Sequence, residues 1–131
     1  MYKIIVSDIN SNYSRVLYEL LVSEWPDLSP FQSVVLGLEV PKPIVALANN
    51  HVVGGLSFTR YNAPDSNKIT TWINALYVSP KYRKRGIAKQ LIYAARKYSQ
   101  TLYALTEHPD LYTNAGWQYV KRDLDGTVVK Q

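Results

Sequence analysis

The reading of the chain turns on residues 69–95, which run ITTWINALYV (69–78), SPKYRKR (79–85) and GIAKQLIYAA (86–95). The first ten are β-branched and aromatic, with apolar residues on both faces, as in a strand covered on both sides. Ser79-Pro80 breaks that strand. Gly86 then opens a helix on which Ile87, Leu91, Ile92, Ala94 and Ala95 share one face. A central strand therefore enters a basic loop, and the loop enters a helix N-terminus. Backbone N–H groups at a helix start, with the positive end of its dipole, bind anionic oxygens. Gly86 and the small Ala88 let an anion reach the backbone, and Arg83 and Lys84 can add charge-assisted contacts.

Charge agrees with this. The 131 residues hold 15 Lys+Arg and 10 Asp+Glu, a net charge of +5, and the pI is near 9.4. Seven of the basic residues lie between Lys81 and Lys97, a stretch without Asp or Glu. The rest of the chain is slightly acidic, so the anionic partner is met locally. With 47% apolar and 19% charged residues the composition is globular. The length is that of one domain, 1–131. The absence of cysteine removes disulfides, zinc–thiolate sites and a thiol nucleophile, and no metal site is expected. No apolar run reaches membrane-spanning length, and residues 1–8 carry no signal-peptide core. A cytoplasmic location without membrane contact is the expectation.

Outside the decisive stretch, Tyr2 to Val6 reads as a strand. Ser11 or Asn12 caps a helix that carries Val16, Leu17, Leu20 and Leu21 and ends at Trp25-Pro26. Leu28 to Val40 is expected to hold a short second helix and a loop. Ile44 to Ala48 and His51 to Tyr61 form a hairpin about Asn49-Asn50. Leu102 to Leu105 is a strand, and Asp110 to Ala115 a short helix stopped by Gly116. Trp117 to Val120 and Thr127 to Val129 are the last strands.

The run Arg83-Lys84-Arg85-Gly86-Ile87-Ala88 resembles the Arg/Gln-x-x-Gly-x-Gly/Ala signature of the GNAT superfamily of N-acetyltransferases. The order of elements along nearly the whole chain is similar too. The resemblance implies an α/β fold with a mixed, mostly antiparallel sheet flanked by helices. It implies that Arg83, Lys84, Arg85, Gly86, Ile87 and Ala88 cradle the pyrophosphate of acetyl-CoA. Leu76, Tyr77 and Val78 would pair with its pantetheine arm. Tyr112-Thr113-Asn114-Ala115-Gly116-Trp117 resembles the family's Tyr-x-x-x-Gly-aromatic segment, whose tyrosine protonates the departing CoA thiolate. A phenol is suited to that task, being protonated at neutral pH.

The general base is open between Glu24, Glu107, His108 and a water chain. Thr70 to Asn74 lacks the glutamate that many family members carry on the central strand, and His108 has the most suitable intrinsic pKa. Glu24-Trp25-Pro26 with Leu105-Thr106-Glu107-His108 is similar to the branch containing the actin N-terminal acetyltransferase and small bacterial relatives. This makes Glu24 and Trp25 candidates for acceptor contacts. Only Pro109-Asp110-Leu111 separate His108 from Tyr112, a shorter connection than that branch uses, so its acceptor is not carried over. The expected reaction is direct attack of a primary amine on acetyl-CoA, the amine being a small molecule or a protein N-terminus. A homodimer fits the resemblance. A CoA-binding sensor with little catalysis and a basic nucleic-acid-binding module are the rival readings.

Overall fold

The computed structural model describes residues 2–131. Its elements in chain order are β1 (Tyr2–Val6), α1 (Asn12–Glu24), β2 (Val34–Val35), β3 (Leu38–Glu39), β4 (Ile44–Ala48), β5 (His51–Asn62), β6 (Ile69–Val78), α2 (Ile87–Ala95), β7 (Leu102–Thr106), α3 (Pro109–Thr113), β8 (Gln118–Asp123) and β9 (Gly126–Lys130). Seven strands form one sheet in the order β1-β4-β5-β6-β7-β9-β8, and β2 pairs only with β3. Every neighbouring pair in the large sheet is antiparallel except β6 with β7. The mixed, mostly antiparallel sheet flanked by helices is therefore as expected.

Local chemistry accounts for the ends of these elements. The Ser11 side chain accepts from the Ser14 N–H at 3.2 Å and caps α1. Asn49 and Asn50 have φ of 50° and 66°, the left-handed pair that a two-residue hairpin requires. Pro109 opens α3 at a position where its missing N–H costs nothing. Gly116, at φ 93°, closes the turn after α3.

One expected element is not there. Residues 28–40 hold no helix but an irregular segment and the small β2–β3 hairpin. Pro30 interrupts any helix. Val34 and Val35 are β-branched, and Leu36-Gly37, at φ 53° and 77°, supplies a tight turn. The final strands also begin or run on further than expected, to Asp123 and Lys130.

Two apolar layers hold the sheet. Leu17 and Leu21 of α1 pack with Val45, Leu47 and Ala75 on one face. On the other, Ile87, Leu91, Ile92 and Ala95 of α2 pack with Leu56, Ile73, Val78 and Tyr112. The first layer is tight at Gly55, where an added Cβ would stand 2.5 Å from the Ile44 carbonyl oxygen and 2.7 Å from Leu17 Cδ1. Gly55→Ala should therefore destabilise the fold by roughly 2 kcal/mol or more, since overpacking against backbone cannot relax. Urea unfolding checks this, and an unchanged midpoint would contradict it.

Candidate active site

The site begins with a fault in β6. Phe58 pairs with Ile73 and Ser57 with Ala75, so Asn74 is an extra residue bulged out of the β5–β6 ladder. On its other side, β6 pairs with β7 only through Thr71, Trp72 and Ile73. Beyond Asn74 the two parallel strands part, and the sheet opens into a wedge. Leu76, Tyr77 and Val78 lie on its β6 wall, and their backbone groups on that side have no strand to pair with. Such an edge can bind an extended amide-bearing chain.

The wedge leads directly to the basic loop. After Val78, the Ser79 N–H donates to the Val53 carbonyl at 2.8 Å, and Pro80 to Tyr82 make one tight helical turn. The Arg83 guanidinium folds back. Its Nε donates to the Val78 carbonyl at 2.7 Å, and it lies over the Tyr77 ring at 5.2 Å. Arg85 donates to the Tyr2 hydroxyl at 2.9 Å and lies over Tyr82 at 5.4 Å. Arg83 and Arg85 thus brace the loop to β6 and β1, while Lys84 is exposed with φ 64°. Gly86, at φ 81°, sits before α2, and nothing lies within 4 Å of where its Cβ would be. The space above Gly86 is open, and the first-turn N–H groups, including those of Ile87 and Ala88, have no intrahelical acceptor. No acidic residue lies in that turn. Open space, positive charge and free N–H donors make this cradle suited to an anion.

Tyr112 is 3% exposed, with its ring centroid 4.9 Å from that of Trp117. It shares the core layer of Val78 and Ile87, and α3 follows directly from β7, the other wall of the wedge. Burial pushes its hydroxyl well above the usual phenol range. Tyr112 is therefore a neutral O–H donor at any working pH. His108 is exposed on the turn before α3, where its backbone N–H donates to Thr106 Oγ1 at 2.9 Å. Glu24 and Trp25 are exposed at the C-terminal end of α1, Trp25 at 41%.

Glu24 and Trp25 stand just before a cavity rather than in it. The cavity, of about 290 Å³, is lined by the segment Asp27 to Gln32 together with Ser57, Thr59 and Asn74. Asp27, Ser57 and Asn74 are thus residues that the sequence reading missed. The one available signal was that Asn74 occupies the region where a strand glutamate was sought. Among the described residues there is no cluster of metal-ligating side chains, and no helix is long and apolar enough to cross a membrane.

Comparison with known proteins fits this geometry. The model of the acetyltransferase (GNAT) family matches residues 10–115. No curated protein matches the chain. A GNAT-family acetyltransferase of Staphylococcus aureus superposes over 100% of this chain and 98% of its own, with TM-score 0.71 and 18% identity. Arabidopsis thaliana Naa50, solved with the bisubstrate analogue CoA-Ac-MVNAL, covers 99% and 97%, with TM-score 0.65 and 13% identity. An aminoglycoside acetyltransferase from an uncultured soil metagenomic sample, solved with sisomicin, covers 86% and 82%, with TM-score 0.58 and 22% identity. At these identities the likeness is one of fold.

Proposed function

The chain belongs to the acetyltransferase (GNAT) family, and from that premise we propose that it moves acetyl from acetyl-CoA to a primary amine by direct attack in a ternary complex. One observation carries the reading. β6 parts from β7 at Asn74 and passes through the basic loop into the open Gly86 cradle, so a single strand–loop–helix unit can hold both ends of CoA.

In this reading the free edge of Leu76, Tyr77 and Val78 takes the pantetheine amides. The α2 N-terminus and Lys84 take the pyrophosphate, with Arg83 and Arg85 holding the loop in shape. A β6 backbone N–H near Leu76 polarises the thioester carbonyl, which lowers the barrier as charge develops on oxygen. The amine nitrogen forms the new C–N bond and gives up its proton to the base, the C–S bond breaks, and Tyr112 gives its proton to the thiolate and regains one from solvent. His108, on the exposed turn before α3, is the proposed base. Glu24 and Trp25 flank the acceptor entrance. The anionic partner is the CoA phosphates rather than a nucleic acid.

Double replacement of Arg83 and Lys84 by alanine should raise the KM for acetyl-CoA by roughly tenfold or more, since each charged hydrogen bond is worth about 1.5–3 kcal/mol. The KM for the amine should stay within about twofold. Equal rises for both substrates would contradict this division. The function itself is tested by following CoA thiol release with and without amines. Release that depends on an amine is the expected result. Tight acetyl-CoA binding with no amine-dependent release would make the protein a sensor, a reading that the Asn74 position, without its strand glutamate, would favour.

A further inference from the structure

The cavity beside Asn74 borders a row of side chains on the same face of the sheet. Thr59, which lines it, pairs across the ladder with Trp72 of β6. Trp72 pairs in turn with Tyr103 of β7, their ring centroids 5.1 Å apart and tilted by 30°. Tyr103 pairs with Lys130 of β9, whose Nζ lies 5.8 Å from the ring centroid. Cross-strand partners project to the same face of a sheet. Beyond the cavity lining, the same face of the sheet continues from Thr59 as a row, Trp72 then Tyr103 then Lys130, on the α1 side. α1 packs chiefly on β4, β5 and β6 and leaves the β7 end of this row uncovered.

The cavity end of the row lacks a partner. Ser57 is 2% exposed, and its Oγ is buried without a hydrogen bond. The Nε1–H of half-buried Trp72 is also without one. A buried hydroxyl left unpaired costs about 1–3 kcal/mol, so a bound molecule that pairs with it gains affinity. The charged groups narrow the choice further. Asp27 is the single carboxylate of the lining, enough for one ammonium, and the far end of the row carries the cation Lys130. Hydroxyl and amide side chains beside a flat aromatic surface suit a ring with polar edges and an apolar face.

We propose that this cavity and the Trp72–Tyr103 row together form the acceptor site for a small cyclic, hydroxyl-bearing monoamine, an amino sugar in chemical class. The proposal rests on the acetyl-transfer reading above. In it, Asp27 meets the ammonium and Ser57 pairs with a ring hydroxyl. Net reaction of the ammonium with acetyl-CoA gives the amide, free CoA thiol and one proton released to water.

The test uses the intact protein with glucosamine, sisomicin and a short peptide bearing a free N-terminus. Both CoA release and calorimetric binding to the CoA-loaded protein are measured. Glucosamine should give a kcat/KM at least tenfold above the other two. Ser57→Ala should raise its KM about tenfold and leave the KM for acetyl-CoA unchanged, while the melting temperature holds or rises, because the hydroxyl has no partner in the fold. Asp27→Asn, at an exposed position, should act similarly and guards against misfolding. Preferred acetylation of the peptide or of sisomicin would overturn this acceptor class while leaving the acetyltransferase intact. Glucosamine binding that depends on Ser57, without turnover, would uphold the site and sink the transfer. No binding and no acetylation of glucosamine would overturn the proposal.

Discussion

Tyr112→Phe is expected to lower kcat by about a hundredfold to ten-thousandfold, the usual worth of a positioned general acid. The KM for acetyl-CoA should hardly move. Phenylalanine keeps the contact with Trp117 and removes only the hydroxyl, so folding should survive. Because burial already holds the phenol well above its ordinary value, its ionisation does not shape the rate profile at working pH. Any alkaline limb should thus persist in the variant. Stability carries the opposite signature. The neutral phenol favours the fold up to the unfolded value of about pH 10, and that contribution is lost as pH rises toward the higher folded value. Tyr112→Phe should flatten this alkaline loss of stability, which thermal melts between neutral and strongly alkaline pH can follow. Full turnover in the variant would make Tyr112 a packing residue.

Gly86→Glu should weaken CoA binding by about a hundredfold or more, measured by calorimetry. Two effects add. A side chain at φ 81° costs roughly 1–2 kcal/mol, as any non-glycine residue does in that region. The new carboxylate would also stand in the open space above α2, where it repels the pyrophosphate. Gly86→Ala separates the two, because its Cβ meets nothing within 4 Å. It should bear the strain but not the charge, and so bind better than the glutamate variant. Wild-type affinity in Gly86→Glu would place the phosphates elsewhere.

The strand–loop–helix unit was legible because its signals are local: a β-branched run, the Ser79-Pro80 break and a glycine before an apolar helical face. The Asn49-Asn50 hairpin and the Ser11 cap were legible for the same reason. The bulge at Asn74 was not, because it exists only through the registers that β5 and β7 impose on β6. The cavity beside Asn74 was hidden likewise, since Asp27, Ser57 and Asn74 are brought together by tertiary folding alone. The reading of 28–40 as partly helical gave too little weight to Pro30 and to Leu36-Gly37. Arg83 showed its charge in the sequence but not its bond to the Val78 carbonyl, which makes it a brace of the loop as well as a cation.

Initial-rate kinetics with acetyl-CoA and an amine both varied test direct transfer most directly. The account predicts double-reciprocal lines that intersect, with CoA and the acetylated amine formed in equal amounts. It also predicts no acetylated protein when acetyl-CoA is mixed with the enzyme alone and examined by intact mass. Parallel lines with an acetylated enzyme, or CoA release that no amine accelerates, would contradict it.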